Sequence, residues 1–181
     1  MSSSIASTED PSGVRAGREA RSFAAIYADY FPFVWRCLRG LGVASSGLDD
    51  AAQDVFVVVH RRLPDFRGES SVKTWLYSIM RNVASNHRRG ISRKGRSEEL
   101  DQQLPSAQPD PAERAQDAEA AAFVTSFLET LDAKKRDVFV LAVLEELPIP
   151  EVSEMLQIPL NTAYTRLRSV RAAFRGALET R

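Results

Sequence analysis

Apolar residues recur at helical spacing along most of this chain. Between Val72 and Val83 they occupy positions i, i+3, i+4, i+7, i+8 and i+11, which places them on one face of an α-helix. Ser70 or Ser71 precedes this series and can cap the helix. The segment is therefore predicted to be an amphipathic helix whose outward face carries Lys73, Thr74, Tyr77, Arg81 and Asn82.

Two further helices are predicted before this one. An apolar series starts at Phe23 and ends at Gly40 and Gly42, and Pro32 within it predicts a kink or a break into two helices. The next segment, SSGLDDAAQDVFVVVHRRLPDF, begins with a possible serine cap, has acids in its first turns and arginines in its last, and stops at Pro64. This charge order suits the helix dipole, so we interpret the segment as a helix, although VFVVVH also fits a strand.

The C-terminal part of the chain has the same helical periodicity. Helices are predicted over residues 115–131, from a cap at Asp132 to about residue 147, from there to residue 156, and from a cap at Asn161 or Thr162 onwards. A tight turn over residues 157–159 separates the last two helices. The inner stripe of the last helix is predicted to consist of Ala163, Leu167, Val170, Phe174 and Leu178.

A polar segment with three prolines separates these helices into two groups. We predict a disordered N-terminus (1–17), a first helical domain (18–96), an acidic proline-containing linker (97–114) and a second helical domain (115–181). No strand alternation appears in the sequence. The predicted fold class is therefore all-α, with two small helical domains joined by a flexible linker, the second containing a helix-turn-helix.

Charge is distributed unevenly, although the chain carries 24 basic and 24 acidic residues. Residues 81–96 include six basic residues and no acid, and residues 97–119 include seven acids and one arginine. Residues 161–181 include five arginines and one acid. Two basic blocks that flank an acidic one suit contact with a polyanion at two separate places.

The sequence offers little for catalysis. Its two histidines, His60 and His87, and its single cysteine, Cys37, make no zinc signature, and there is no phosphate-binding glycine loop or nucleophile elbow. We therefore expect no enzyme activity, cofactor or metal. Cys37 is expected to be buried, and His87, in a basic run, to contact phosphate or water. Because no signal peptide or membrane span is evident, the expected location is the cytoplasm.

The last two predicted helices and the turn between them form the pattern of a helix-turn-helix. The second helix of this motif enters the major groove, where arginine binds guanine and hydroxyl groups bind phosphates or base edges. The alternative is a helical hairpin whose arginines only face solvent. We favour duplex binding, through Asn161, Thr162, Tyr164, Thr165, Arg166, Arg168 and Arg171.

The loop FRGESS (residues 66–71) and the helix face after it form a second candidate surface. Aromatic rings and a basic groove hold single-stranded bases, and a loop pocket can hold one unstacked base. Tyr77 lies off the apolar stripe, so its ring is predicted to be available, whereas Trp75 lies on the stripe and is predicted to be a core residue. The candidate contacts are Phe66, Arg67, Gly68, Glu69, Ser70, Ser71, Lys73, Thr74, Tyr77, Arg81, Asn82, Arg88 and Arg89.

A mixed acidic face is predicted on the helix before that loop. Asp50, Gln53, Asp54 and Val57 share this face because they are spaced i, i+3, i+4. Its carboxylates, with Asp49, allow three interpretations: a metal site, pairing with the helix dipole, or a docking site for a basic partner helix. Dipole pairing is the simplest of the three, and docking stays open.

These segments together resemble a known family. LDDAAQDVFVVVHRRLPDFRGESSVKTWLYSIMRNVASNHRR resembles region two of bacterial sigma factors of the extracytoplasmic-function (ECF) group. LETLDAKKRDVFVLAVLEELPIPEVSEMLQIPLNTAYTRLRSVRAAF resembles their region four. The resemblance covers about residues 20–178, and FRGESSVKTWL is its most specific part.

The resemblance implies a subunit that binds core RNA polymerase and directs promoter recognition, melting and transcription initiation. Region two would dock on the clamp coiled coil of the largest polymerase subunit through Asp50, Gln53, Asp54 and Val57. It would also hold the single-stranded minus-ten element with the loop and helix face described above. Region four would bind the duplex minus-35 element and the flap of the second polymerase subunit. An anti-sigma factor is the usual regulator of this family, and no membrane insertion is expected.

Three residues of the second domain depart from the family pattern. Gln157 stands in the turn where the family usually has glycine, and in a left-handed conformation it would cost on the order of 1 kcal/mol. Pro148 takes the place of a serine or threonine cap, and Tyr164 replaces a common lysine. These departures concern the pose of the second domain on duplex DNA and leave the region-two motif unchanged.

Two other functions stay open on the residues alone. The first is a stand-alone helix-turn-helix regulator, which would bind duplex DNA tightly without polymerase. The second is an adaptor whose acidic linker and helix faces bind only proteins, and it would show no salt-dependent affinity for DNA.

Overall fold

Seven α-helices, and no strand, make up the part of the chain that the computed structural model describes, residues 22–94 and 111–180. In chain order they are α1 (Phe23–Gly40), α2 (Leu48–Arg62), α3 (Val72–Lys94), α4 (Pro111–Thr130), α5 (Ala133–Phe139), α6 (Ile149–Leu156) and α7 (Leu160–Glu179). The prediction of an all-α fold is confirmed. Each helix in these two ranges is too short or too polar to span a bilayer. The predicted disordered N-terminus (1–17) and most of the predicted linker (97–110) lie outside the described residues.

Helices α1, α2 and α3 form the first domain and pack through their apolar stripes. Val34 and Leu38 of α1, Val55 of α2, and Leu76 and Met80 of α3 are all fully buried. Burying a side chain of this size contributes about 1.5–3 kcal/mol of stability. The VFVVVH segment lies in α2, so its interpretation as a helix is confirmed.

Helix α1 runs without a break through Pro32, so the alternative of two separate helices is wrong. Pro32 is exposed, whereas Phe33 and Val34, which follow it, are buried. A proline removes one backbone hydrogen bond, here the bond to the carbonyl of Ala28. Because Ala28 is exposed, water can satisfy that carbonyl, and the packed apolar face keeps the helix continuous.

Predicted caps are confirmed at two helix starts. The Ser71 hydroxyl accepts the backbone N–H of Thr74 at 3.1 Å, and the Asp132 carboxylate accepts that of Lys135 at 2.9 Å. The serine cap predicted for α2 is wrong, because the two serines form a 3-10 turn (Ser45–Gly47) and the glycine stands before the helix.

The predicted cap of α7 is also wrong. The helix begins at Leu160, so Asn161 and Thr162 lie inside its first turn. Pro159 explains the earlier start, because its fixed φ and its missing N–H suit a helix beginning. Its carbonyl accepts the N–H groups of Thr162 and Ala163.

Helix α5 ends earlier than predicted. It stops at Phe139 and continues as a π-helical turn, Val140–Leu144, instead of reaching residue 147 as an α-helix. Residues 136–142 are all buried, whereas an amphipathic helix buries only one stripe. The segment is therefore covered on several sides.

The turn between α6 and α7 is left-handed at Gln157, whose φ is 53°. The Ser153 hydroxyl donates to the carbonyl of Ile158 at 2.7 Å, and the Ile158 N–H donates to the carbonyl of Ser153 at 3.0 Å. These two bonds close the turn around a residue that lacks the freedom of glycine.

Helix α4 packs on the far end of α7 through aromatic rings. Phe174 lies 4.9 Å from Phe127 and 5.8 Å from Phe123, between ring centroids. Leu178, one turn later, is 48% exposed, so its assignment to the inner stripe is wrong. It lies beyond the last of these aromatic contacts.

The predicted end of the linker is four residues too late. Residues 111–114 are the first turn of α4, which was predicted over 115–131. Pro111 stands at the first helical position, where its missing N–H costs nothing. The prolines of this segment therefore mark a helix start as well as a linker.

The first domain (α1–α3) packs directly against the second (α4–α7), an interface that the sequence did not predict. A Cβ atom at Gly40 would lie 2.8 Å from a methyl group of Val140, so the glycine lets α1 approach the π-helical turn closely. Beside this contact, Arg36 donates two hydrogen bonds to the Glu145 carboxylate, at 2.9 and 2.7 Å. Helix α3 also contacts α6.

Candidate nucleic-acid interface

The loop over residues 66–71 lies on the surface, as predicted. Five of its six residues are exposed, and Phe66 is half-buried. Gly68 has φ +69°, and no atom would contact a Cβ there, so backbone conformation alone favours glycine at this position. The loop borders an open concavity of about 540 Å³ lined by Arg62, Asp65, Phe66, Arg67, Glu69, Ser70 and Trp75.

An aromatic stack forms one wall of this concavity. The rings of Phe66 and Trp75 are stacked, with 4.6 Å between centroids and 27° between planes. Trp75 packs against the core but is only half-buried, so its prediction as a core residue is only partly right. Aromatic and charged side chains around an open recess are the groups that hold an unstacked base.

The first turn of α3 follows this loop. The Thr74 hydroxyl lies 2.9 Å from that of Ser71, within the cap. The Lys73 ammonium lies 5.7 Å from the centre of the Phe33 ring, a cation–π distance. Both Lys73 and Thr74 are half-buried. The prediction that they face outward is therefore only partly right, because both side chains also make contacts within the first domain.

Tyr77 is fully buried, and the prediction that it lies on the outward face is wrong. Its hydroxyl donates to Oδ1 of Asp137, in α5 of the second domain, at 3.1 Å. The apolar stripe located only the face of α3 that packs on α1 and α2, whereas Tyr77 lies on a second face that the other domain covers. Burial, and next the charge of Asp137, raise the pKa of Tyr77 well above its usual range.

Arg81 lies one turn further along the same face. Its Nε is 3.3 Å from Oδ2 of Asp137, and its side chain is about half exposed. The Asp137 side chain is only 9% exposed. Burial raises its pKa above the usual value, against the opposing effects of Arg81 and of the Tyr77 hydrogen bond.

The rest of the predicted single-strand surface is exposed. Asn82, Arg88 and Arg89 all face solvent. Arg89 bonds within its own helix, to the carbonyl of Ser85 at 3.2 Å and to the Asn86 side chain at 2.7 Å. The basic end of α3 is therefore accessible in the packed arrangement, whereas its middle is covered.

The acidic face of α2 is present as predicted. Asp50, Gln53, Asp54 and Val57 are all exposed on it. Nε2 of His87 lies 2.8 Å from Oδ2 of Asp54, a partner within the chain that the sequence did not predict. This contact ties α3 to α2 at the edge of the acidic face.

An aromatic groove continues from this acidic face towards α1, and the sequence analysis missed it. It has a volume of about 570 Å³ and is lined by Phe23, Tyr27, Phe31, Asp49, Gln53, Phe56, Val57, His60 and Arg61. Tyr27 and Val57 are 44% and 40% exposed. The available signal was aromatic residues at i, i+4 and i+8 in α1, which were counted only as part of the apolar series of that helix. The groove extends the acidic face by an apolar surface.

The outer face of α7 is open to solvent. Asn161, Tyr164, Thr165, Arg168 and Arg171 are exposed, and Tyr164 is 49% exposed. Thr162 and Arg166 are half-buried. The surface thus combines guanidinium, amide and hydroxyl groups along one helix, which are the groups that contact DNA phosphates and base edges.

Nothing in the described ranges resembles a metal site, since no cluster there has three or more histidine, cysteine or acidic side chains. Cys37 is buried, as predicted, and burial raises its pKa well above the usual value.

Two family profiles match this chain, one in each domain. The profile of "Sigma-70 region 2" matches residues 26–94, and that of "Sigma-70, region 4" matches residues 124–174. The RNA polymerase sigma-H factor of Pseudomonas aeruginosa is 29% identical over 143 residues, which cover 72% of each protein. The ECF RNA polymerase sigma-E factor of Escherichia coli is 27% identical over 140 residues, covering 72% of this chain and 73% of that protein.

A solved structure has the same fold. It is the sigma factor RpoE in complex with the anti-sigma factor NepR from Bartonella quintana, 18% identical to this chain. The TM-score is 0.67, and the match covers 87% of this chain and 96% of the other. Both domains therefore have counterparts in one known protein.

Proposed function

This chain belongs to the extracytoplasmic-function group of bacterial sigma-70 factors, and from that premise we propose that it binds core RNA polymerase and directs it to a specific set of promoters. Sigma factors are transcription initiation factors. On this proposal the chain supplies promoter recognition and strand capture, and the polymerase makes the phosphodiester bonds. The cytoplasm, where polymerase acts, is the proposed location.

The observation that carries the proposal is the open recess at the loop over residues 66–71. It combines the Phe66–Trp75 stack with charged groups at the start of a helix whose far end is basic. Extruding a base costs a few kcal/mol, and stacking contributes about 1–3 kcal/mol per base. A recess of this composition is suited to one extruded base of the minus-ten element.

We assign polymerase docking to the acidic face of α2. Asp50, Gln53, Asp54 and Val57 are exposed there, beside the aromatic groove. A basic partner helix, such as one from the clamp coiled coil of the largest subunit, would meet complementary charge at the carboxylates and apolar surface in the groove. The flap of the second subunit is the proposed partner of the second domain.

Duplex binding at the minus-35 element is assigned to α7. Its exposed face presents Tyr164, Thr165, Arg168 and Arg171 near the N-terminal half, where recognition helices contact base edges. Arg166 is the proposed base-reading residue, because half-burial limits the freedom that its guanidinium would lose on binding.

An anti-sigma factor is the proposed regulator. Support comes from the RpoE relative, whose structure was solved with the anti-sigma factor NepR. A partner of this kind would compete with polymerase if it covered the acidic face of α2 or the aromatic groove.

Transcription reconstituted from purified chain, core polymerase and fragmented genomic DNA tests the proposal. We expect transcripts from a small set of start sites whose upstream DNA shares two sequence elements. Asp54→Arg should weaken core binding, because it places positive charge against a basic partner, and Asp29→Arg, an exposed acid on α1, is the matched control. Core binding without initiation on any fragment would contradict the proposal.

One observation favours the stand-alone regulator as a second candidate. The α7 face is exposed while the two domains are packed together, so duplex binding needs no polymerase to uncover it. That candidate predicts tight, sequence-specific duplex binding by the free chain and no transcripts in the reconstitution.

A further inference from the structure

The interface between the two domains covers the part of α3 that strand capture requires. We propose that Asp137 is an intramolecular latch, which holds the chain closed by binding Tyr77 and Arg81, and that the latch must open before α3 can take single-stranded DNA. The inference rests on the proposed function for the role of α3. The closed arrangement itself stands on the contacts between the domains.

The chemistry of the contact supports competition with DNA. A carboxylate oxygen of Asp137 accepts the Tyr77 hydroxyl at 3.1 Å, and the other lies 3.3 Å from Nε of Arg81. A phosphate oxygen of a DNA strand would use the same two donors, a hydroxyl and a guanidinium. Asp137 thus occupies, from within the chain, the position that a backbone phosphate would need.

Two further contacts close the same interface. Arg36 donates two hydrogen bonds to Glu145, whose side chain is only 5% exposed. Gly40 allows α1 to approach Val140 more closely than a side chain at position 40 would allow while Val140 keeps both methyl groups. These contacts tie α1 to the π-helical turn that follows Asp137, so opening must separate both α1 and α3 from that part of the second domain.

The interface is also suited to opening. Its polar contacts join Asp137, Glu145, Tyr77, Arg81 and Arg36, all of which water can solvate after separation. Burial raises the pKa of the Asp137 carboxyl, because a buried carboxylate loses its hydration. Separation of the domains would restore that hydration. Interfaces between domains of one chain are commonly transient for this reason.

A disulfide lock tests whether opening is required. A Cβ at position 40 would lie 2.8 and 3.2 Å from the two methyl carbons of Val140, so Gly40→Cys with Val140→Cys should place two thiols within bonding reach. The single variant Val140→Cys is the control, because it keeps Gly40 and the buried Cys37 and lacks the second thiol of the designed pair. Crosslinking is followed by the shift in mobility on a non-reducing gel.

The oxidised double variant, with core polymerase and the genomic fragments, should give at least about tenfold fewer transcripts than the same protein after reduction. Duplex binding by the free protein should change less than about twofold, because α7 stays exposed. Equal transcription from the oxidised and reduced forms would overturn the proposal. Failure of the disulfide to form would also overturn it, because the two positions would then not be close.

A second measurement separates the latch from the proposed function. Amide hydrogen exchange on the free chain should be at least about threefold faster in α3, over residues 72–84, for Asp137→Ala, which removes both acceptor oxygens, than for the unchanged protein. The control Glu154→Gln removes one charge from an exposed position on α6 and should leave that exchange unchanged. Unaltered exchange in Asp137→Ala would exclude the latch, whether or not the chain starts transcription. If the unchanged protein starts no transcription with core polymerase, the proposed function is wrong. The hydrogen-exchange rates then test the latch by themselves.

Discussion

The two helix faces assigned to DNA differ in how much of each the rest of the chain covers. On α7, Tyr164 is 49% exposed, and the arginines at 168 and 171 face solvent. On α3, Tyr77 is completely buried, and Arg81 is engaged by Asp137 of the other domain. While the two domains are packed together, duplex DNA can therefore reach the face of α7 assigned to it. A single strand cannot reach the middle of α3, which the second domain covers.

This difference sets an order of events. A donor that already has a partner inside the protein gains little by exchanging it for a DNA phosphate, because one hydrogen bond replaces another. On α7, Arg168 and Arg171 are exposed, so a phosphate that binds there mainly displaces water. We therefore expect closed-duplex contacts to form first and strand capture to follow domain separation.

Replacing the two tyrosines with alanine tests the comparison with the largest effect. Tyr77→Ala removes a fully buried ring and should lower the free energy of unfolding by about 3–5 kcal/mol. Tyr164→Ala removes an exposed ring and should change it by less than about 0.5 kcal/mol. Urea denaturation measures both, and similar losses for the two variants would mean that the faces are not covered differently.

The accessible face can be examined through Arg166. Arg166→Ala should weaken binding of the free chain to its duplex element by about 1–3 kcal/mol if the guanidinium reads a base. Arg175→Ala, late on the same helix, is the control for general electrostatic attraction. Fluorescence anisotropy with cognate and scrambled duplexes measures both, and an equal loss on the two duplexes would reassign Arg166 to a phosphate contact.

Two glycines test the close approach between the domains. Gly40→Ala adds a methyl group 2.8 Å from Val140 and should cost about 1–2 kcal/mol, because overpacking outweighs the gain in helix propensity. Gly176→Ala, in the open on α7, should instead stabilise the chain by about 0.5–1 kcal/mol. A stabilising Gly40→Ala, measured by thermal unfolding, would show that α1 and the π-helical turn are not in contact.

The smallest effect concerns the titration of tyrosine. Burial and the charge of Asp137 raise the pKa of Tyr77, whereas an exposed tyrosine titrates at about 10. The stability that the protonated phenol contributes is complete below about pH 10 and is lost as the pH rises through the higher value. Part of the absorbance change at 295 nm should therefore appear only well above pH 10, and a single transition near pH 10 would contradict the burial of Tyr77.

Local sequence patterns predicted the helices well because each pattern depends on neighbouring residues. The apolar stripe of α3 and the caps at Ser71 and Asp132 all involve residues within a few positions of one another. The loop over residues 66–71 was likewise predicted at the surface, because a polar segment before a capped helix has nothing to bury.

The domain interface could not be predicted in this way. Tyr77 and Asp137 are 60 positions apart, and a hydrophobic stripe identifies only the face that packs within a helix's own domain. Tyr77 was therefore predicted to be exposed, and no local pattern singled out Asp137 as its partner. The one local sign in the sequence was the uninterrupted apolar run over residues 138–144, which is too long for one stripe and indicates that a second surface covers this segment.

Acetylation of the free chain with N-acetylimidazole, read by mass spectrometry, tests the covering of α3 most directly. Tyr164, 49% exposed, and Tyr27, 44% exposed, should be modified, while Tyr77 should stay at least about tenfold less reactive and should react readily in the Asp137→Ala variant. If Tyr77 of the unchanged chain is acetylated as fast as Tyr164, the two faces are equally open, and Asp137 holds nothing closed.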